Sequence, residues 1–123
     1  MIAYVSRTGN VRYVISRLEL PAVEVDESSV LTEPFLLFTY TDGLGEVPLK
    51  VTRFMEKSGS HCQGVIVSGN TNFGIHNFGK AGEIIAEQWE VPLVRKLELR
   101  GFSDDYEAIC HYYEHNFPKE RLG

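Results

Sequence analysis

The pattern that most narrows the folds open to this chain is an alternation, along 123 residues, of short apolar segments with longer amphipathic ones. The short segments read as strands: Ile2, Ala3, Tyr4 and Val5; residues 22–25; Phe35, Leu36, Leu37, Phe38 and Thr39; residues 64–68; and residues 93–99. Each is followed by a turn signal. Between the first two, Val11, Val14, Ile15 and Leu18 fall at i, i+3, i+4 and i+7 on one helical face, with Asn10 as the expected N-cap and Pro21 past the end. A second helix is expected to start at Pro48, turn Val51, Phe54 and Met55 inward, and stop at Gly59. A third covers about residues 79–89. The last is expected to be capped by Ser103, with Asp104 and Asp105 in its positive first turn and Tyr106, Ile109, Cys110, Tyr113 and Phe117 on one face. Strands that alternate with helices make an α/β parallel sheet.

Strand texture then orders the sheet. A strand with neighbours on both sides and helices over both faces becomes continuously apolar, whereas an edge strand can alternate. The first, third and fourth segments are continuously apolar. The second (Ala22, Val23, Glu24, Val25) and fifth (Lys96, Leu97, Glu98, Leu99) alternate with charge, which suits edges and discourages sheet-to-sheet pairing. The expected order is therefore 2-1-3-4-5. The rival doubly wound order would place the third strand outside the first two, although Phe35–Phe38 is the most hydrophobic strand of all. In such sheets ligands bind beyond the carboxyl ends of the strands where the order reverses, so the segments after strands one, three and four are expected to build one site.

Size and composition limit the alternatives. A chain of 13.9 kDa fits one domain over residues 1–123, and no apolar run approaches the roughly 20 residues that span a bilayer. Met1 to Val5 run into a strand without the basic start of a signal peptide, so a cytoplasmic location and no membrane association are expected. Cys62 and Cys110 form no CxxC pair, which leaves a disulfide framework or zinc site without support. A net charge of -5, with scattered basic residues, argues against nucleic acid as a partner.

Three segments carry chemistry. Ser6, Arg7, Thr8, Gly9, Asn10 and Val11 bring hydroxyls, a glycine and an amide to a helix N-terminus, where backbone N–H groups and the helix dipole suit a phosphate monoester. The same residues also suit an ordinary turn and cap, and Arg7 suits either the phosphate or water. Thr39, Tyr40, Thr41, Asp42, Gly43, Leu44 and Gly45, running on to Pro48, could wrap a planar heterocycle, or form a plain loop before a helix. Gly43 tolerates positive φ, so the Gly43–Leu44 peptide can present its N–H or its carbonyl. A flavin asks for both, because oxidised N5 accepts a hydrogen bond and reduced N5 donates one. Gly69, Asn70, Asn72, Phe73 and Gly74 place amides beside an aromatic that could stack on a ring or pack inward. The two asparagines suit either the ring's polar edge or the loop's own turn.

Taken in this order on so short a chain, these segments resemble the NrdI family. The resemblance rests on Ser6, Thr8, Gly9 and Asn10, on Thr39, Tyr40, Thr41, Gly43, Gly45, Val47 and Pro48, and most specifically on Gly69, Asn70, Asn72, Phe73 and Gly74. It continues through Gly79, Ala81 and Gly82 to Val91 and Pro92. Leu44 stands where the family often has an aromatic, and Asp42 where it has a small or hydroxyl residue. The resemblance implies a flavodoxin-like three-layer sandwich that binds FMN and works with the small subunit of a class Ib ribonucleotide reductase. It further implies that the reduced flavin turns O2 into superoxide or a related oxidant, for assembly of that subunit's dimanganese-tyrosyl radical cofactor. A flavin or thiol reductant system would supply electrons, and no side chain acts as acid, base or nucleophile. The surface around Tyr40 to Glu46 and Phe73 to Phe78 would be the docking face.

Other readings have less support. An electron-transfer flavodoxin shares the expected cofactor and fold. A receiver-type signalling domain needs acidic residues after strand one, where Ser6 to Asn10 has none. A phosphate-ester binder without flavin is the third. His111 and His115, at i and i+4, read as solvated or partly packed rather than metal-bound, His76 as a loop residue, and both cysteines as buried and inert.

Overall fold

The computed structural model describes residues 1–118. It contains strands β1 (Ile2–Tyr4), β2 (Ala22–Glu24), β3 (Phe35–Tyr40), β4 (Cys62–Gly69) and β5 (Leu93–Glu98), with helices α1 (Asn10–Leu18), α2 (Leu49–Ser58), α3 (Lys80–Trp89) and α4 (Ser103–Asn116). All strand pairs are parallel and the order is β2-β1-β3-β4-β5, as strand texture requires. The alternation within each strand sends residues to two separate cores. Ile2, Leu36, Phe38, Ile66 and Leu97 face α1 and α4, where they meet Val11, Val14, Leu18, Ile109, Tyr113 and Phe117. Ala3, Val5, Phe35, Leu37 and Val65 face α2 and α3, where they meet Val51, Phe54, Met55 and Ile85. A three-layer sandwich results, and it explains why the central strands are apolar at every position. The edge strands are more open: β2 exposes Val23 and Glu24, and β5 buries only Leu97.

Helix starts differ from the sequence expectation by one residue each, for identifiable reasons. Asn10 is the first residue of α1, and Gly9 takes the cap position at φ 94 without a side-chain cap. Asn10 instead accepts a hydrogen bond from Arg100 Nε at 3.3 Å. Pro48 sits before α2 in extended geometry, and its carbonyl accepts the N–H bonds of Val51 and Thr52. Ser103 opens α4 rather than capping it. The cap is made by Asp105, whose carboxylate accepts the Phe102 N–H at 2.8 Å while Arg95 Nε donates to it at 2.7 Å. The strands shift as well. β1 ends at Tyr4, although the Val5 N–H still reaches Phe38 O; β4 begins at Cys62, and β5 stops at Glu98 because Leu99 turns away at φ 53.

Candidate functional site

The strand order reverses between β1 and β3, and the segments beyond their tips, with that beyond β4, enclose a cleft of about 290 Å³. That is the low end of the range for small-molecule sites, about 300–1,000 Å³.

From the β1–α1 segment, Arg7, Thr8, Asn10 and Val11 line the cleft. Gly9 does not line it; a side chain there would meet open space, so its positive φ alone favours glycine. With no side chain among the described residues capping α1, the N–H groups of its first turn lack intrahelical acceptors and remain available to an anion. Ser6 is buried and is not among the residues lining the cleft, and its Oγ has no hydrogen-bond partner among the described residues. Lys50 reaches across from α2, with Nζ 3.5 Å from Ser6 O.

In the β3–α2 segment, Tyr40, Thr41 and Gly43 line the cleft. Thr39 is fully buried in β3 and donates to Tyr40 O at 2.9 Å, a core position. Thr41 Oγ1 is the second buried hydroxyl without a partner among the described residues. Asp42 and Glu46 exchange backbone bonds of 2.8 and 2.7 Å, closing a small turn over Gly43, Leu44 and Gly45. Gly43 has φ 48, as the sequence reading of this turn requires. Leu44 projects from the tip, 69% exposed and outside the cleft lining, and Gly45 packs beneath against Lys80 and Asn77. Arg7 pairs with Asp42, and its guanidinium lies 5.1 Å from the Tyr40 ring centre; Lys50 Nζ lies 5.7 Å from the same ring.

Beyond β4, Gly69, Asn70 and Phe73 line the cleft, whereas Asn72 and Gly74 are exposed and do not. Asn70 Oδ1 accepts the Asn72 N–H at 2.9 Å, so its side chain holds the turn over Thr71–Phe73. Phe73 is 58% exposed and is no core residue. Asn77 Nδ2 donates to Phe73 O at 2.8 Å and braces the segment.

Sequence reasoning missed part of the lining. Ser68 opens the third segment but was not expected as a contact, Asn77 follows that segment, and Leu99 comes from a fourth, after β5. Ser68 Oγ donates to Leu99 O at 2.5 Å, and the Leu99 N–H donates to Gly69 O at 2.7 Å. Arg100 follows, its guanidinium 4.2 Å from the Tyr13 ring centre and its carbonyl accepting from Tyr106 OH at 2.8 Å. Burial pushes the Tyr106 phenol up. The missed signal was positional: β5 adjoins β4, so its tip reaches the same rim. Away from the cleft, the His111 and His115 rings stack 5.8 Å apart on the exposed side of α4. Cys62 is buried with Sγ donating to Gly64 O at 3.2 Å.

Solved structures of other proteins share this fold. A short-chain flavodoxin associated with a non-canonical PDU bacterial microcompartment superposes with a TM-score of 0.71 at 16% identity, covering 97% of this chain and 96% of that one. A Streptococcus pneumonia flavodoxin gives 0.68 at 24% identity, covering 96% and 97%. A mutant flavodoxin from Pseudomonas aeruginosa gives 0.56 at 20% identity over 100% of both chains. At these identities the likeness establishes the flavodoxin-like fold. Family membership comes from the sequence: the model described as NrdI Flavodoxin like matches residues 2–111, a stretch that contains every segment of the rim. The chain belongs to the NrdI flavodoxin-like family.

Proposed function

We propose that this protein binds FMN in the rim cleft and, once reduced, supplies superoxide or a related oxidant to the small subunit of a class Ib ribonucleotide reductase, for assembly of its dimanganese-tyrosyl radical cofactor. The observation that carries the cofactor is the pair of buried hydroxyls left without partners among the described residues, Thr41 Oγ1 in the cleft lining and Ser6 Oγ next in the chain to Arg7, which lines it. A buried polar group left unsatisfied costs about 1–3 kcal/mol, which a polar ligand can recover. Family membership adds the rest of the support.

The residues present fit the group. The uncapped first turn of α1, with Thr8 and Asn10, suits the phosphate, and Lys50 adds positive charge nearby. Gly43 and its following peptide suit a ring nitrogen that changes between acceptor and donor. Phe73, half-exposed at the cleft and braced by Asn77, suits an apolar ring face. FMN would supply the redox chemistry, taking electrons from a flavin or thiol reductant system and passing them to O2. No side chain need act as acid, base or nucleophile; the chain binds, orients and leaves one side of the site open. Leu44, Phe73 and Ile75 expose large apolar surface around that opening, which suits docking of the partner subunit. In this reading the protein works in the cytoplasm, where the reductase works.

The test combines reduced protein, O2, Mn²⁺ and the cognate small subunit, with the tyrosyl radical read by EPR. Radical is expected with this protein and not with a generic electron-transfer flavodoxin. Equal radical from both would reduce the reading to that of an ordinary electron carrier.

A further inference from the structure

Three residues other than glycine adopt positive φ among the described residues: Glu19, Glu90 and Leu99. Glu19 and Glu90 end α1 and α3, where a left-handed residue commonly closes a helix. Leu99 ends no helix. It follows β5 at φ 53 and is the first central residue of a turn closed by the Gly101 N–H on Glu98 O at 2.8 Å. Glycine occupies such a position at least steric cost, and a leucine there is disfavoured.

The strain is enforced from both sides. The Leu99 N–H is held by Gly69 O at 2.7 Å, and its carbonyl by Ser68 Oγ at 2.5 Å. Both partners belong to the tip of β4 and Ser68 also lines the cleft. Core packing does not offset the cost, because Leu99 belongs to neither hydrophobic core and is 41% exposed. Leu99 does line the cleft, together with Asn10, Val11, Ser68 and Gly69. Two positions on, Gly101 is confined differently: a Cβ there would lie 2.6 Å from Leu97 Cδ2. The turn thus takes glycine where a side chain has no room and keeps leucine where glycine would fit best.

We propose that Leu99 is a cofactor-contacting residue from a fourth rim segment, held in a strained turn so that its side chain forms an apolar wall for the non-phosphate part of a flavin. The proposal rests on the flavin reading above and assigns the β5–α4 segment a part in binding. Backbone strain and ligand contact give effects of opposite sign, so the two can be separated.

The experiment compares wild type with L99G, L99A and L99M as full-length chains, measuring thermal unfolding without ligand and affinity for FMN and riboflavin by fluorescence quenching. L99G removes both strain and wall. It is expected to melt between zero and about 5 °C above wild type, and above L99A, which keeps a Cβ at positive φ. L99G and L99A should each bind FMN about three- to twentyfold more weakly, with the same loss for riboflavin, and L99M should stay within about twofold of wild type. Wild-type affinity in L99G, or a loss seen with FMN alone, overturns the proposal; so does L99G melting below L99A. No flavin uptake by wild type would remove the flavin reading itself, an outcome distinguishable because it needs no variant.

Discussion

The guanidinium of Arg7 pairs with the carboxylate of Asp42 and joins two rim segments that lie 35 positions apart in the chain. The guanidinium also lies over the Tyr40 ring, so Arg7 acts as a tie between the β1–α1 and β3–α2 segments. Partly exposed ion pairs contribute about 0.2–1 kcal/mol. R7Q and D42N are each expected to weaken FMN and riboflavin alike, by about two- to fivefold, and the double variant to be no worse than either single one. Titrations of the four proteins with both ligands check this. A loss in R7Q confined to FMN would instead make Arg7 a phosphate ligand.

Thr41 gives a prediction of opposite signs. Its buried Oγ1 lacks a partner among the described residues, and valine keeps the shape without the polar atom. Thr41→Val is expected to leave the ligand-free chain as stable as wild type or up to about 1 kcal/mol more stable, and to weaken FMN about fivefold or more. Urea unfolding and FMN titration measure the two arms. Destabilisation with unchanged affinity would mean that the hydroxyl serves the fold.

Gly43 has φ 48, and a Cβ there would lie 3.2 Å from Glu46 Oε1. Gly43→Ala should cost about 1 kcal/mol in urea unfolding, whereas Gly43→Asn, which tolerates the left-handed region, should cost less. By restricting the following peptide, Gly43→Ala should also move the potential of bound flavin by about 20 mV, the two-electron equivalent of that energy. An unchanged potential would show that the peptide does not respond to the ring's redox state.

Burial pushes the Cys62 thiol up, and also the phenols of Tyr106 and Tyr112. Each group holds its proton more tightly in the folded chain than in the unfolded one. The stability this provides is complete below the ordinary thiol value of 9.0 and declines as pH rises above it. Urea midpoints are expected to hold steady through neutral pH and to fall as pH rises past the ordinary thiol value, by at most about 1.4 kcal/mol per pH unit from Cys62, with a smaller share from the tyrosines because solvent screens them. Cys62→Ala should flatten the first part of that fall.

Sheet order was readable because Phe35–Phe38 is apolar at every position, a texture that only a strand covered on both faces requires, while Glu24 and Glu98 mark the edges. The rim segments were readable because ligand sites in such sheets follow strand tips at the reversal point. What escaped depends on three-dimensional neighbours. Asn10 resembles a cap in sequence, yet its amide oxygen is taken by Arg100, 90 positions away. Thr39 resembles Thr41, and only the end of β3 at Tyr40 shows that one is core and the other, past the strand tip, lines the cleft. Leu99 is an ordinary leucine until its φ is known. The Asp105 cap likewise required Arg95 and Phe102 to be in place.

The most direct measurement is calorimetric titration of the full-length protein with FMN. Uptake of one FMN per chain is expected, with weaker binding of riboflavin, which lacks the phosphate that the first turn of α1 is placed to receive. No heat and no flavin absorbance retained after gel filtration would contradict the assignment of the rim as a flavin site.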